Sequence, residues 1–167
     1  MLEQDKIIPI VSHWGATGGD VDVIFTEQVK QAISFHFIQS CYSLSSSHQS
    51  AFHTSVMTRA KKLFPDEFSS LETVKAPAGF IHAYDLGRLA ISALQQIELS
   101  GNIKQDRLLF KQALESLQKP VQGLIKKYEK PFSPWSEQQE DAHEALRLEN
   151  FCMASFGEHN QIKVTAN

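Results

Sequence analysis

The chain has 167 residues, 42% of them hydrophobic and 21% charged, with 16 Lys+Arg against 19 Asp+Glu for a formal charge of −3. That is the length of one ordinary domain or part of a larger one, enough to bury a core without help from disulfides or metals. A slightly acidic chain lacks the concentrated basic face that displaces counterions, so no nucleic acid is expected as a partner. No apolar run approaches the roughly 18 residues needed to cross a bilayer, since the best candidate, Leu86 to Leu94, is short and contains Arg88. The opening Met1-Leu2-Glu3-Gln4-Asp5-Lys6 shows no basic stretch followed by an apolar one, so no secretory signal is read there. Cys41 and Cys152 lie far apart and form neither a disulfide framework nor a clustered metal site. They read as two buried thiols, with a single bridge expected only in an exported protein.

The first element is a strand, Ile7-Ile8-Pro9-Ile10-Val11, rich in β-branched residues, with Pro9 restricting it to a strand start or an edge. A turn follows, Ser12-His13-Trp14-Gly15-Ala16-Thr17-Gly18-Gly19-Asp20, whose three glycines open backbone angles closed to other residues. Asp20 or Asp22 then caps a helix running through Val23, Phe25, Val29 and Ile33. A second strand is read over Ser34 to Gln39, and the serine-rich stretch from Ser40 to Ser50 as a loop. The next helix carries Phe52, Val56, Ala60, Leu63 and Phe64, has a basic edge at Arg59, Lys61 and Lys62, and stops at Pro65-Asp66.

The longest helix starts near Ala76-Pro77, where proline suits the first turn, and ends at Ser100-Gly101-Asn102. Its apolar face is read as Phe80, Tyr84, Ile91 and Leu94, with Ile81 and Ile97 beside it. Another helix from about Asp106 carries Leu109, Phe110, Ala113, Leu114 and Leu117 and ends at Lys119-Pro120. Val121 to Tyr128 reads as a strand. So does Leu148 to Phe156, which a turn at Gly157 to Asn160 joins to a hairpin partner, Gln161 to Thr165. Strands and helices that alternate before a β ending define an α/β layered fold with a mixed sheet, flanking helices and a C-terminal hairpin.

Phosphate and metal chemistry find little footing. Gly15, Gly18 and Gly19 match neither the P-loop nor the Rossmann spacing, no lysine follows, and Asp20 repels a phosphate. The seven histidines, at positions 13, 36, 48, 53, 82, 143 and 159, show no ligand spacing, so no metal is expected. No G-x-S-x-G elbow occurs, no neighbour marks Cys41 as activated, and no catalytic residue is assigned. Two clusters stand out. Ser12-His13-Trp14-Gly15 puts a hydroxyl, an imidazole and an indole at the carboxyl end of a strand, where α/β sheets collect ligands. Phe80, His82, Tyr84 and Asp85 lie in the first turns of the long helix. Tyr84 reads as the core member there, and Phe80 and His82 as the residues facing a cleft.

These clusters, in this order, carry a resemblance. Ile8-Pro9-Ile10-Val11-Ser12-His13-Trp14-Gly15-Ala16-Thr17-Gly18-Gly19 resembles the strand and turn in the later part of type I periplasmic solute-binding proteins of ABC transporters, the leucine/isoleucine/valine-binding group. Gly79-Phe80-Ile81-His82-Ala83-Tyr84-Asp85-Leu86-Gly87-Arg88-Leu89 resembles the family's helix around an Ala-Tyr-Asp core. Asp106 to Leu117 is similar to the helix that follows, and Gly123 to Tyr128 with Pro131-Phe132-Ser133-Pro134 to the segment crossing between lobes. Phe151 to Val164 is similar to the closing hairpin.

The resemblance implies a partial type I binding-protein fold of Rossmann-like lobes, with about 1–45 and 121–167 in the second lobe and about 46–120 in the first. It implies a non-catalytic receptor without cofactor that holds a small solute, such as an amino acid, in a cleft. Closure of that cleft is then read by the membrane subunits of an ABC transporter in the periplasm. Carried over by position, Ser12, His13, Trp14 and Gly15 line one wall, and Phe80 with His82 the other. An acidic residue that some members use for a ligand ammonium falls near Trp14 here, which shifts the expectation toward stacking or apolar contact. Members begin with an exported leader and a complete first lobe, so the chain reads as a C-terminal portion with weak or no amino-acid affinity in isolation. Strand edges left open favour self-association as a homodimer. The alternatives are a dimerising sensor or interaction module of the same fold and, behind it, a small α/β enzyme.

Overall fold

The computed structural model describes residues 7–45, 50–72, 74 and 76–165. The chain forms two compact units, Met1–Phe80 with Glu149–Asn167, and Ile81–Leu148.

The first unit is built on a mixed four-stranded sheet of order β1-β2-β5-β6. Its strands are β1 (Ile8–His13), β2 (Ile33–Ser40), β5 (Phe151–Phe156) and β6 (Ile162–Val164). β1 runs parallel to β2, with Ile8 opposite Ile33 and His13 opposite Ile38, and β5 and β6 complete the sheet antiparallel. β1 ends the strand order among the described residues, and an edge strand is where a proline such as Pro9, which has no N–H, is tolerated. Period-two alternation sends Phe37, Gln39, Cys152 and Ala154 to the buried face. Phe35, Phe37 and Phe156 gather there, joined by Phe25.

That aromatic cluster explains a departure from expectation. The single helix from Asp20 to Ile33 is instead two short ones, α1 (Val21–Ile24) and α2 (Glu27–Ala32). Phe25 leaves helical geometry to pack on Phe35 and Phe156, each at 4.8 Å between ring centroids. Thr26 then caps α2 by accepting the Val29 N–H, while Asp20 makes no side-chain cap hydrogen bond and Ile33 opens β2.

Cys41 and Cys152 are not buried thiols; they are joined in a disulfide with Cα atoms 4.9 Å apart. Positions 111 residues apart in sequence meet because β2 and β5 are neighbours. Gln39 stands opposite Cys152, and the Cys41 N–H donates to the Asn150 carbonyl just beyond the strand end. Helix α3 (Ala51–Leu63) also belongs to this unit, capped by Ser50 through the His53 N–H. It buries His53, Val56, Met57 and Ala60, while Leu63 and Phe64, expected in the core, are more than half exposed.

Helix α4 (Pro77–Leu94) begins with proline as expected, after Ala76 at a φ of +49°. Its buried face is Ala78, Ile81, Asp85, Leu89 and Ala93, while Ile91 and Leu94, assigned to the core face, are 58% and 43% exposed. The helix is rotated relative to expectation because the second unit is organised around Leu89, Ala93 and Asp85. Leu89 and Ala93 pack with Ala113, Leu117, Val121 and Tyr128 to form its core. Helix α5 (Ile103–Glu115) starts before Asp106, because Asn102 caps it by accepting the N–H groups of Lys104 and Gln105. Asp106 turns back to accept from Ser100 and Gly101, which hold its carboxyl below the usual range.

Val121 to Tyr128 is not one strand. It is a tight antiparallel pair, β3 (Val121–Gln122) and β4 (Lys127–Tyr128), closed by the Gly123 N–H donating to the Lys126 carbonyl. The Asp85 carboxylate makes the turn by accepting the N–H groups of Leu124 and Ile125 at 2.5 and 3.0 Å. Leu148 to Asn150, read as strand, is a 3-10 turn preceding β5. Among the described residues, no helix is long and apolar enough to cross a membrane.

Candidate ligand site

The turn after β1 is locked by its own side chains. Residues Trp14–Thr17 form a single 3-10 turn, with His13 as its cap. The His13 Nδ1 accepts the Gly15 N–H at 3.0 Å, and the Thr17 hydroxyl donates to the Trp14 carbonyl at 2.7 Å. A Cβ at position 15 would meet the imidazole at 2.5 Å, so glycine is required there for close approach. Gly19, at a φ of +80°, then redirects the chain toward α1. The result presents Trp14, 47% exposed, at the carboxyl end of the β1–β2 parallel pair, edge-on to the His13 ring at 5.4 Å.

Because Nδ1 accepts, a neutral His13 carries its proton on Nε2 and offers a donor beside the indole. Ser12 is half-buried and Thr17 spends its hydroxyl on the turn. The arrangement is an apolar plate with a hydrogen-bond donor next to it. That suits holding a solute by stacking or apolar contact.

Ser12, His13, Trp14 and Gly15 are thus one contiguous group in the first unit. Phe80, in the same unit, is half-buried and packs its ring on Phe68 at 4.8 Å. His82 belongs to the second unit, where burial holds its imidazole pKa below the usual value against the opposing pull of the Asp85 charge. Tyr84, expected in the core, is half-buried and lies outside the core cluster. Asp85, singled out with the aromatics, is 3% exposed and fully engaged with Leu124, Ile125 and the Tyr128 hydroxyl.

Two further features escaped sequence reasoning. The Tyr42 hydroxyl and the His53 Nδ1 are hydrogen-bonded, and His53 is 2% exposed, its Nε2 without a hydrogen-bond partner among the described residues. Eleven positions separate these residues, so no local motif marks them. A cavity of about 420 Å³ also opens where β2 begins and β5 ends, and none of the six residues carried over from the resemblance lines it. Its polar members come from three strands, α2 and the β5–β6 turn, and only the tertiary fold reveals their proximity. Among the described residues, no group of three or more His, Cys, Asp or Glu is placed to hold a metal; His48 lies outside them.

The buried histidines set an acid limit on stability. Burial lowers the pKa of His53 and of His82 below 6.5, so the unfolded chain takes up protons first as pH falls. Tyr128 moves the other way, its phenol pushed well above 10 by burial and then by the Asp85 charge and hydrogen bond. The unfolded chain therefore ionises first at high pH. Urea midpoints should be highest between about 6.5 and 10 and fall on both sides. A midpoint that rises on acidification through that lower limit would contradict the assignment.

Comparison with protein-family models, with curated proteins and with solved structures finds no match to this chain.

Proposed function

We propose that the chain is a non-catalytic, solute-binding component of an ABC-type uptake system, corresponding to the later part of a type I periplasmic receptor. The observation that carries this reading is the half-exposed Trp14 indole, held on a pinned turn at the carboxyl end of a parallel strand pair. Large aromatic rings are ordinarily buried, and a rigidly mounted exposed one at this end of a sheet fits a contact surface for a ligand. The Cys41–Cys152 disulfide supports an oxidising compartment such as the periplasm, where such receptors work. The solute is a small molecule, an amino acid or a related compound with an apolar part that stacks on the indole. Transporter membrane subunits are the macromolecular partner.

Fluorescence tests this directly. In a Trp135→Phe background, Trp14 is the sole indole emitter. Titration with amino acids and related solutes should shift its emission saturably but with low affinity. Trp14→Ala should weaken binding, followed by calorimetry, roughly tenfold. Emission indifferent to every solute, or binding that survives Trp14→Ala unchanged, would refute the reading.

A second reading is favoured by one observation. β1 pairs only with β2 among the described residues, and Ile8, Ile10 and Val11 are exposed on an uncharged edge. Such an edge invites pairing with a second copy. An obligate dimer in sedimentation, combined with no solute response, would select a dimerising module over a receptor.

A further inference from the structure

Residues 133–142 of the second unit form a loop whose ends meet, since the Ser133 N–H donates to the Ala142 carbonyl at 3.0 Å. Two turns fold the chain between them. The Gln139 N–H donates to the Ser136 carbonyl at 3.0 Å, and the Ala142 N–H to the Gln139 carbonyl at 3.3 Å. The base of the loop is fixed. Ala142 is 2% exposed, and Phe132 and Leu146 on either side pack against the core of the unit. Pro134 restricts the backbone just before Trp135. Closed surface loops of this size are frequently functional.

This loop holds up an indole that the core does not use. Trp135 is 56% exposed and stands outside the core cluster of its unit. The charges beside it in the chain have one sign. Glu137, Glu140, Asp141 and Glu144 are all exposed, and no Lys or Arg occurs between Lys130 and Arg147. None of the four carboxylates makes an ion pair among the described residues. His143, in the same stretch, is engaged with the Glu115 carboxylate at 2.8 Å.

We propose that this loop is a docking surface for an arginine-bearing basic segment of a partner protein, bound in extended form. A guanidinium stacks on the indole face, whose π electrons attract a cation, and its planar fork also matches carboxylates. Side chains two residues apart in an extended chain lie about 6.5 Å apart on one side. The ends of a β-turn such as 136–139 are within about 7 Å of each other. Alternate arginines therefore reach the indole and the carboxylates together, and ring and acids need not enclose one small molecule. The unpaired negative charge repels nucleic acid and anionic membranes and selects a cationic partner. Trp and Arg are also the residues that most often anchor protein interfaces. The surface lies wholly in the second unit and draws on neither Trp14 nor the receptor reading, so either can fail without the other.

Calorimetry with the full chain and three short blocked peptides provides the test. One peptide alternates arginine with serine, and the others replace arginine by lysine or by glutamate. The arginine peptide should bind saturably, the lysine peptide about threefold more weakly, and the glutamate peptide not at all. Trp135→Ala should weaken the arginine peptide about tenfold, and Glu140→Gln combined with Asp141→Asn about fivefold. These positions are exposed, so the changes leave the core untouched. In a Trp14→Phe chain Trp135 is the sole indole, and its emission should shift over the same range of arginine peptide. The proposal is overturned if the glutamate or lysine peptide binds as tightly as the arginine peptide, or if either variant binds as wild type does. It is overturned equally if the Trp135 emission stays constant or no peptide binds.

Discussion

Reduction of the Cys41–Cys152 bridge should lower the unfolding free energy by about 4–5 kcal/mol, the loop-closure value for a link of this span. The bridge closes a loop that contains α3, α4, α5 and the β3–β4 pair, so nearly two thirds of the chain loses conformational freedom in the unfolded state when it is intact. Cys152 is 8% exposed, opposite Gln39 on the buried face of the sheet, whereas Cys41 is exposed at the strand end. Cys41→Ser therefore removes the link with little disturbance of packing, and is the cleaner variant. Urea denaturation of the wild-type chain with and without reductant, beside Cys41→Ser without it, measures the effect. The reduced wild type and the variant should coincide. A loss below about 1 kcal/mol in both would mean the bridge does not constrain the unfolded chain.

The second large effect is expected at Asp85. Its buried carboxylate accepts from two backbone N–H groups and from the Tyr128 hydroxyl at 2.8 Å, and those bonds hold the β3–β4 turn on α4. Asp85→Ala strands three donors in a dry environment and should cost about 3–5 kcal/mol. Tyr128→Phe removes one donor with its bond and should cost about 1–2 kcal/mol. Gly123→Ala attacks the same assembly sterically, since its Cβ would meet the Asp85 carboxylate at 2.5 Å and the Tyr128 ring at 2.6 Å. Because Asp85 and Tyr128 touch, the double variant should cost less than the sum of the singles. Urea unfolding of the four variants is the measurement, and an Asp85→Ala chain as stable as wild type would remove the role assigned to this carboxylate.

Local signals in the sequence located most elements. The β-branched run before the glycine turn became β1, Pro9 fell on the sheet edge, and Pro77 opened α4. The turn at Gly157 to Asn160 joins β5 and β6 as read. Each of these depends on backbone preference within a few residues, which the sequence states directly. The α/β class with a mixed sheet followed from their order. The failures are of another kind. Phe25 broke a helix because two phenylalanines from other strands were waiting for its ring. Asp85 bent a predicted strand into a hairpin from 39 residues away. Helix periodicity marked α4 as amphipathic, yet its inward face was chosen by Leu89, Ala93 and Asp85.

The candidate site divides the same way. Trp14 and His13 were legible because strand, turn and glycines are contiguous, and the turn is held by bonds among residues 13–18. The cavity where β2 begins and β5 ends was not, since which residues oppose one another across strands is a property of register and has no trace in local order. The pairing of Cys41 with Cys152 belongs with it. Short-range propensities act through neighbouring backbone torsions and can be read along the chain. Which distant groups meet depends on how sheet register and helix rotation satisfy buried polar atoms and fill the core, and that choice is made by the folded molecule as a whole.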